Sequence, residues 1–322
     1  MRPLYSILFF LLCVACAENN TSTPSITVDA PTPKSATSLV ILGTIQDAGS
    51  PHIACKKECC KHLFDIPDAN RQVVSLGLFD ADANKKYLFE ATPDISRQVK
   101  SLRAFGHEST SELPDGIFIT HAHIGHYSGL MYLGKEATNA QDIPVYAMPR
   151  MTTFIKNNGP WSQLVTTKNI LLKEVTAKQP VLLSKNLTVT PFLVPHRDEY
   201  SETVGYKITG PNKTALFIPD IDKWEQWELS IIEEIKKVDY AFLDATFFDA
   251  KELNNRDMSE IPHPFIVESM QAFKNLSIKD KKKVIFIHFN HTNPVIDSSS
   301  NASKKVEKAG FQIAKINDSF KL

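Results

Sequence analysis

The chain has 322 residues with 36 basic and 36 acidic side chains, so its formal net charge at pH 7 is zero. This balance gives no electrostatic footprint for nucleic acid, and we expect no nucleic-acid partner. The sequence also has no Gly-x-Ser-x-Gly elbow, Gly-rich phosphate loop or dinucleotide fingerprint. It therefore gives no support to serine-hydrolase or nucleotide-binding chemistry.

Residues 1–16 have the pattern of an export signal, in which Arg2 precedes the apolar stretch LYSILFFLLCVA. That stretch is shorter than a membrane span. Ala15 and Cys16 resemble a bacterial lipobox, although Cys13 stands where leucine is usual. We expect a lipoprotein-type signal peptide with lipid on Cys16, which would anchor an exported protein in the periplasm or on the outer membrane. Ordinary cleavage nearby and a retained anchor are the alternatives.

Residues 17–38 are rich in Ser, Thr, Pro and Asn and have no apolar period. This composition is typical of a flexible linker. Residues 39–322 remain for folding, which is enough for one large α/β domain with a substantial core.

Strand and helix patterns alternate through this domain. The first half predicts strands at 39–45, 72–79, 86–91, 116–120 and 143–148, and helices at 93–105, 127–137 and 150–158. The second half predicts strands at 180–183, 187–195, 203–209, 214–219, 238–243 and 283–287, and helices at 223–236 and 262–274. Each half is a strand meander followed by alternating helices and strands. This order favours an α/β fold with two facing sheets and outer helices, an αββα four-layer sandwich.

Three histidines in the sequence HAHIGH follow the predicted strand at 116–120: His121, His123 and His126. Neutral imidazole is the commonest protein ligand for transition metals. Residues two apart on a strand point the same way, so His121 and His123 can reach one point. His126 lies beyond Gly125 and can approach that point from another side. A surface loop that is merely rich in histidine is the alternative.

Three further apolar runs end in a residue that can bind metal. VTPFLVPH ends in His196, ALFIPD ends in Asp220, and VIFIHFNH contains His288 and His291. Each of these residues alone could be a solvated strand end. Together with HAHIGH they indicate a metal site, because side chains at strand ends are held rigidly and can converge on one edge of a sheet.

HAHIGH resembles the His-x-His-x-Asp-His signature of the metallo-β-lactamase fold superfamily. His196, Asp220 and His288 match the later metal motifs of that superfamily in order and spacing. Within it, the stretches ILGTIQDAGSPHIACKKECC, THAHIGHYSGLMYLGKEA, DATFF and IHFNHTNP resemble the pyrroloquinoline-quinone biosynthesis protein B branch. The resemblance extends from about residue 39 to the C-terminus.

The resemblance implies two metal positions. The first would be held by three histidines and a bridging aspartate: His121, His123, His196 and Asp220. The second would keep His126, Asp220 and His288, but Gly125 replaces its usual aspartate. We therefore expect one firmly bound metal (zinc, iron or manganese) and a weak or absent second. On this interpretation Gly125→Asp should raise occupancy of the second position.

These residues suit a metal-dependent hydrolase whose small-molecule substrate resembles an ester, a lactone or a phosphodiester. Catalysis would depend on Asp220 and His196. Three histidines and a carboxylate also suit non-haem iron. The resemblance links the family to oxidative tailoring of a peptide-derived tyrosine, so an oxygenase is the alternative. A non-catalytic module that binds metal or ligand is a third hypothesis.

Three cysteines cluster in the loop after the first predicted strand: Cys55, Cys59 and Cys60. Three thiolates and one imidazole make a closed zinc site of the structural type. The cluster resembles the structural zinc loop of the phosphonate-pathway cyclic phosphodiesterases and of the quinone-biosynthesis branch, with the middle cysteine at 59 instead of 57. His291 is the expected fourth ligand, with His263 and His62 as alternatives. A disulfide with one free thiol is the competing interpretation.

Two aspartates carry weaker signals. Asp47 in IQDAGSP is expected to shape the loop in which it lies. Asp244 in FLDATFF follows an apolar strand and is either a support for the metal ligands or an ordinary strand end.

Overall fold

The computed structural model describes residues 36–106, 111–253 and 257–322. The predicted signal peptide, the predicted lipid site at Cys16 and nearly all of the predicted linker lie outside these residues. Within the described part, no helix has the length and apolar character needed to cross a bilayer. The first strand begins at Ser38, the last residue of the predicted linker.

In the described residues the strands form two sheets of seven. In chain order the strands are β1 Ser38–Gly43, β2 Ser75–Asp80, β3 Lys85–Phe89, β4 Gly116–Phe118, β5 Ile143–Ala147, β6 Ile170–Glu174, β7 Val181–Ser184, β8 Leu187–Leu193, β9 Val204–Thr209, β10 Thr214–Ile218, β11 Tyr240–Asp244, β12 Val284–Ile287, β13 Gln312–Ile313 and β14 Ser319–Lys321. The first sheet has the order β14-β1-β2-β3-β4-β5-β6, and the second β13-β12-β11-β10-β9-β8-β7.

Each sheet combines an antiparallel meander with a parallel half. Strands β3 to β6 are parallel in the first sheet, and β10 to β13 are parallel in the second. Helices or short turns connect the parallel strands, so successive carboxyl ends meet at one edge of each sheet. That edge is where the predicted metal ligands follow their strands.

Of the α-helices in the described residues, six pack on the outer faces of the sheets. In chain order the α-helices are α1 Glu58–Lys61, α2 Ile95–Arg103, α3 Ile124–Tyr127, α4 Pro149–Asn157, α5 Trp161–Thr166, α6 Ile231–Lys236, α7 Ile266–Ala272, α8 Ile278–Lys281 and α9 Asn301–Lys308. The six that pack on the sheets are α2, α4, α5, α6, α7 and α9. Short 3₁₀ turns occur at Ser128–Leu133, Trp224–Gln226, Ala250–Leu253, Met258–Glu260 and Pro294–Ile296.

Three apolar clusters fill the spaces between the layers. The central cluster joins inner faces of both sheets, including Phe89 and Phe118 of the first sheet and Phe217 of the second. A second cluster packs the first sheet against α2, α4 and α5, and a third packs the other sheet against α6, α7 and α9. The predicted αββα sandwich is therefore confirmed.

Two predicted helices are interrupted for identifiable reasons. Of the helix predicted at 127–137, only a 3₁₀ turn at Ser128–Leu133 forms. Gly129 packs there against the loop after β3, where a Cβ atom would lie 2.1 Å from the Thr92 carbonyl oxygen. The helix predicted at 223–236 forms only in part. Trp224 and Trp227 turn inward there, and their Nε1 atoms donate to Ser269 Oγ and the Leu193 carbonyl.

The helix predicted at 262–274 begins later, at Ile266. His263 precedes Pro264, and a residue before proline avoids the helical region. His263 is thereby kept in an irregular segment at the end of the sheet. The sequence patterns also gave no element at β6 or α5, which lie beside the first sheet, and none within the loop that contains α1.

Candidate metal centre

The first predicted set of metal ligands comes together in the structure. The side chains of His121, His196 and Asp220 are almost completely buried. Asp220 Oδ2 lies 3.3 Å from His121 Nε2 and 3.2 Å from His196 Nε2. His123 Nδ1 lies 3.3 Å from His196 Nε2. One ligand atom from each of the four residues falls within 4.8 Å of the others, which is a cage of the size a metal ion needs.

A second set faces the first across Asp220, and it contains a carboxylate that the sequence interpretation missed. Asp47 Oδ1 lies 2.9 Å from His126 Nε2 and 3.1 Å from His288 Nε2. His126 Nε2 is also 3.8 Å from Asp220 Oδ2. The expectation that Asp47 merely shapes its loop was wrong, because its carboxylate belongs to this second set.

Gly125 and Asp47 are complementary. A Cβ atom at position 125 would lie 2.3 Å from Asp47 Cα and 2.9 Å from the Asp47 carbonyl oxygen. The backbone of the Asp47 loop thus occupies the space that a side chain at 125 would need. Gly125→Asp would displace that loop and its carboxylate, so this close approach argues against our expectation that the substitution raises occupancy of the second position. The weak second site was expected on the premise that a carboxylate is absent, and Asp47 removes that premise.

The donor chemistry fits metal ions. His121 Nε2 is buried, and although Asp220 Oδ2 lies 3.3 Å away, the two atoms do not form a hydrogen bond. A buried polar atom without a partner is costly unless something else satisfies it. Imidazole nitrogens with shared carboxylates form a donor set suited to zinc, iron or manganese.

Four of the five histidines of the centre have a hydrogen-bond partner on their other ring nitrogen, whereas His126 Nδ1 lies 3.5 Å from Glu90 Oε1 without a hydrogen bond. His121 Nδ1 lies 2.8 Å from Thr120 Oγ1, and His196 Nδ1 lies 3.0 Å from Asp222 Oδ1. The remaining contacts are His123 Nε2 with Glu199 Oε2 and His288 Nδ1 with Thr246 Oγ1. Such partners orient a metal-binding imidazole and fix its tautomer.

Two of these residues have unusual backbone conformations. Glu90 and His288 have φ angles of 74° and 69°, although neither is glycine. Such conformations are uncommon for residues with a side chain and are tolerated where the surroundings enforce them. Each of the two residues directly follows a strand, β3 or β12, and the sharp change of direction brings its side chain into the centre. The sequence interpretation did not identify Glu90.

The buried carboxylates and imidazoles of the centre stabilise each other's charged forms. Burial disfavours a charged Asp220, but His196 and His263 hold its pKa well below the usual value. Burial likewise opposes charge on His196, yet Asp220 raises the pKa of His196 to about 9. Asp47 and Glu90 raise the pKa of the buried His126 well above its ordinary value. A metal must displace these protons, so we expect metal affinity to fall as the solution becomes more acidic.

His263 lies beside the centre, away from the cysteines. Its Nδ1 atom is 2.9 Å from Asp244 Oδ2 and 3.1 Å from Asp220 Oδ1. Asp244 is fully buried and also accepts hydrogen bonds from the backbone N–H groups of Ile221 and Thr246. Asp244 therefore supports the centre, and the structure places His263 in this group instead of at the cysteine cluster.

The cysteine cluster contains the expected fourth residue. Ligand atoms of Cys55, Cys59, Cys60 and His291 lie within 4.8 Å of one another, and His62 is not in the group. None of the three cysteines forms a disulfide. Burial and the neighbouring thiols raise the pKa of Cys59 to about 12, so without a cation this thiol stays protonated. The arrangement fits a tetrahedral zinc site of three sulfurs and one nitrogen.

Together, the sandwich fold and the two groups of candidate metal ligands at its strand ends define a domain of the metallo-β-lactamase type. A family model described as the beta-lactamase superfamily domain matches residues 85–289, and the chain belongs to this family. The fold and the superfamily expected from HAHIGH are thus confirmed.

The predicted resemblance to the quinone-biosynthesis branch is also confirmed. The chain is 23% identical over 316 residues to coenzyme PQQ synthesis protein B of Gluconobacter oxydans, covering 88% of this chain and 98% of that protein. It is 24% identical over 299 residues to the protein of that name from Rhizobium meliloti, covering 85% of this chain and 94% of the relative.

Solved structures share the fold at lower identity. Zn(2+)-bound PqqB from Methylobacterium extorquens has a TM-score of 0.72 at 20% identity, covering 88% of this chain and 100% of that one. A diphosphatase from the PhnP family has a TM-score of 0.60 at 20% identity, covering 89% of this chain and 97% of that one.

Proposed function

We propose that the protein is a metal-dependent hydrolase with a two-metal centre. The observation that carries this proposal is the position of Asp220, whose Oδ2 atom lies near His196 of the first ligand set and His126 of the second. Metal ions held there would activate a water molecule and polarise the group to be cleaved.

Solvent reaches the centre from one side. The side chains of His123, Asp47 and His263 are 12–14% exposed, whereas those of His121, His126 and His288 are at most 1% exposed. The buried histidines hold the geometry and keep bulk water away from the back of the site. We therefore place the substrate against the exposed edge formed by His123, Asp47 and His263.

His263 is the proton donor in this proposal. Burial alone would lower its pKa, but the charges of Asp244 and Asp220 raise that pKa well above the usual value for histidine. Because both carboxylates approach Nδ1, the proton for a leaving group comes from Nε2. Asp244 acts through His263, since it orients the ring and stabilises its charged form.

His263→Ala should slow hydrolysis in proportion to the difficulty of expelling the leaving group. General-acid catalysis contributes about 10²–10⁴-fold, so alkyl leaving groups should lose most of that factor and 4-nitrophenolate very little. The measurement is kcat/KM over a series of esters and phosphodiesters whose leaving groups differ in pKa. His62→Ala, at an exposed histidine outside the centre, is the matched control. Equal losses for every leaving group would contradict the assignment.

A PqqB-like oxygenase is the second candidate. It is favoured by the relatives named for coenzyme PQQ synthesis and by the three histidines and one carboxylate of the first ligand set. Such a set also suits non-haem iron with an open position. In that case the second ligand set would serve substrate binding.

Metal and oxygen dependence separate the candidates. The proposed hydrolase should cleave at least one ester, lactone, phosphodiester or β-lactam with zinc or manganese under nitrogen. An oxygenase should require ferrous iron and consume oxygen with a tyrosine-containing peptide. Turnover that depends on iron and oxygen alone would overturn our proposal. Absence of turnover with every metal would favour a non-catalytic binding module.

A further inference from the structure

Two loops each contribute to both candidate metal sites. The loop after β1 carries Asp47 of the central set and then Cys55, Cys59 and Cys60. The loop after β12 carries His288 of the central set and, three residues later, His291 of the cysteine cluster. The two sites are therefore joined twice through short stretches of chain.

The start of this connection is firmly paired. The Gln46 N–H donates to the Phe289 carbonyl at 2.8 Å, and the Phe289 N–H donates to the Thr44 carbonyl at 2.7 Å. Asp47 is the next residue after Gln46, and its Oδ1 atom lies 3.1 Å from His288 Nε2. The near end of the Asp47 loop is thus fixed against the loop after β12.

The far end of the loop meets the same partner through the cysteine cluster. The His52 ring packs on the His291 ring with centroids 4.5 Å apart, and the His52 N–H donates to Cys60 Sγ at 3.4 Å. Cys60 is completely buried, and its sulfur lies 3.8 Å from Cys59 Sγ. A cation held by these thiols and His291 would cross-link the two loops.

Between these ends, Ser50 is buried and its Oγ accepts a hydrogen bond from Arg71 Nη1 at 3.3 Å. Beyond it, no residue of the described stretch 51–59 is buried, and Ile53 is 80% exposed. A segment with so few buried contacts opens locally at low cost in free energy. A cross-link removes much of that freedom, because it reduces the conformations open to the enclosed chain.

We propose that zinc at Cys55, Cys59, Cys60 and His291 positions Asp47 and thereby controls the affinity of the second metal of the centre. This inference rests on the proposed two-metal centre, but not on the reaction it performs. It follows from Gly125, since the carboxylate that completes the second ligand set comes from the cysteine loop and not from the HAHIGH motif. Asp47 is a ligand in this account, and the cysteines are positioning residues.

The test is a titration of Cys59→Ser and of Cys55→Ser with Mn²⁺, which favours carboxylate over thiolate ligands and so reports on the central site. Calorimetry should resolve two Mn²⁺ binding steps. The affinity of the weaker step should fall about 10–100-fold, as it does on loss of a residue that supports a metal ligand, and the affinity of the tighter step should not change. Elemental analysis should show loss of the thiol-bound zinc. His62→Ala, in the same loop, should leave both steps and the zinc unchanged.

A double-mutant cycle distinguishes positioning from general destabilisation. In an Asp47→Asn background, Cys59→Ser should cause no further loss of Mn²⁺ affinity, whereas Asp47→Asn alone should retain the thiol-bound zinc. A second binding step within twofold of wild type in both cysteine variants would overturn the inference, as would additive losses in the cycle. If the coupling holds and no substrate is hydrolysed, the proposed reaction fails while this inference stands.

Discussion

Asp220→Ala should remove both metals from the centre and abolish hydrolysis. Asp220 is the one carboxylate shared by the two ligand sets, and its side chain is 3% exposed, so water cannot easily replace it. Metal ions contribute several kcal/mol of transition-state stabilisation, and each 1.36 kcal/mol is tenfold in rate, so we expect a loss on the order of 10³-fold or more. Elemental analysis and kcat/KM on the best substrate measure the two effects.

Asp244→Asn provides the matched comparison for Asp220→Ala. Asp244 is also buried, but its carboxylate contacts His263 and accepts a hydrogen bond from Thr246 and is in neither of the two ligand sets. The variant should slow the reaction and yet retain metal at both positions. Full metal content in Asp220→Ala would contradict the shared-carboxylate arrangement.

Asp47→Asn should weaken metal binding at the second position and leave binding at the first position unchanged. The amide keeps the shape of the side chain but loses the charge that faces His126 and His288. Loss of an outer supporting residue costs about 10–100-fold in metal affinity, so loss of this charged ligand should cost at least about 100-fold. Metal titration of the purified variant gives both affinities.

Asp65→Asn, at an exposed aspartate of the same loop, controls for general effects on that loop. It should bind both metals with wild-type affinity. If Asp47→Asn also binds two metals normally, then the second position does not depend on Asp47, and the weak site expected from Gly125 alone becomes the better description.

The predicted ligands at strand ends were accessible from sequence because each follows a continuous apolar run. Strands β4 and β8 end three residues before His121 and His196, and β12 ends one residue before His288. The buried strands fix the direction in which these side chains point. Strands β4 and β12 lie in the parallel halves of their sheets, and β8 runs in the same direction as β10 because two antiparallel pairings separate them, so the carboxyl ends of all three point to the edge where the ligands lie. The pattern of the runs thus predicted both the sandwich and most of the central site.

Asp47, Glu90 and His263 were harder to find because their roles depend on contacts distant in sequence. Asp47 contacts His126, 79 residues later, and His288, 241 residues later. Gly125 did offer a usable signal. A glycine at a position where a metal ligand is usual leaves room for another segment of the same chain to approach. His263 lies between two prolines, outside any periodic pattern that could have indicated its direction.

The central claim is a two-metal centre in which Asp47 supplies the carboxylate missing from HAHIGH. A crystal grown with zinc and examined by anomalous scattering tests it most directly. We predict two peaks that share Asp220, one bounded by His121, His123 and His196, and the other bounded by His126, His288 and an oxygen of Asp47. A single peak at saturating zinc, or a second metal with Asp47 turned away from it, would contradict the claim.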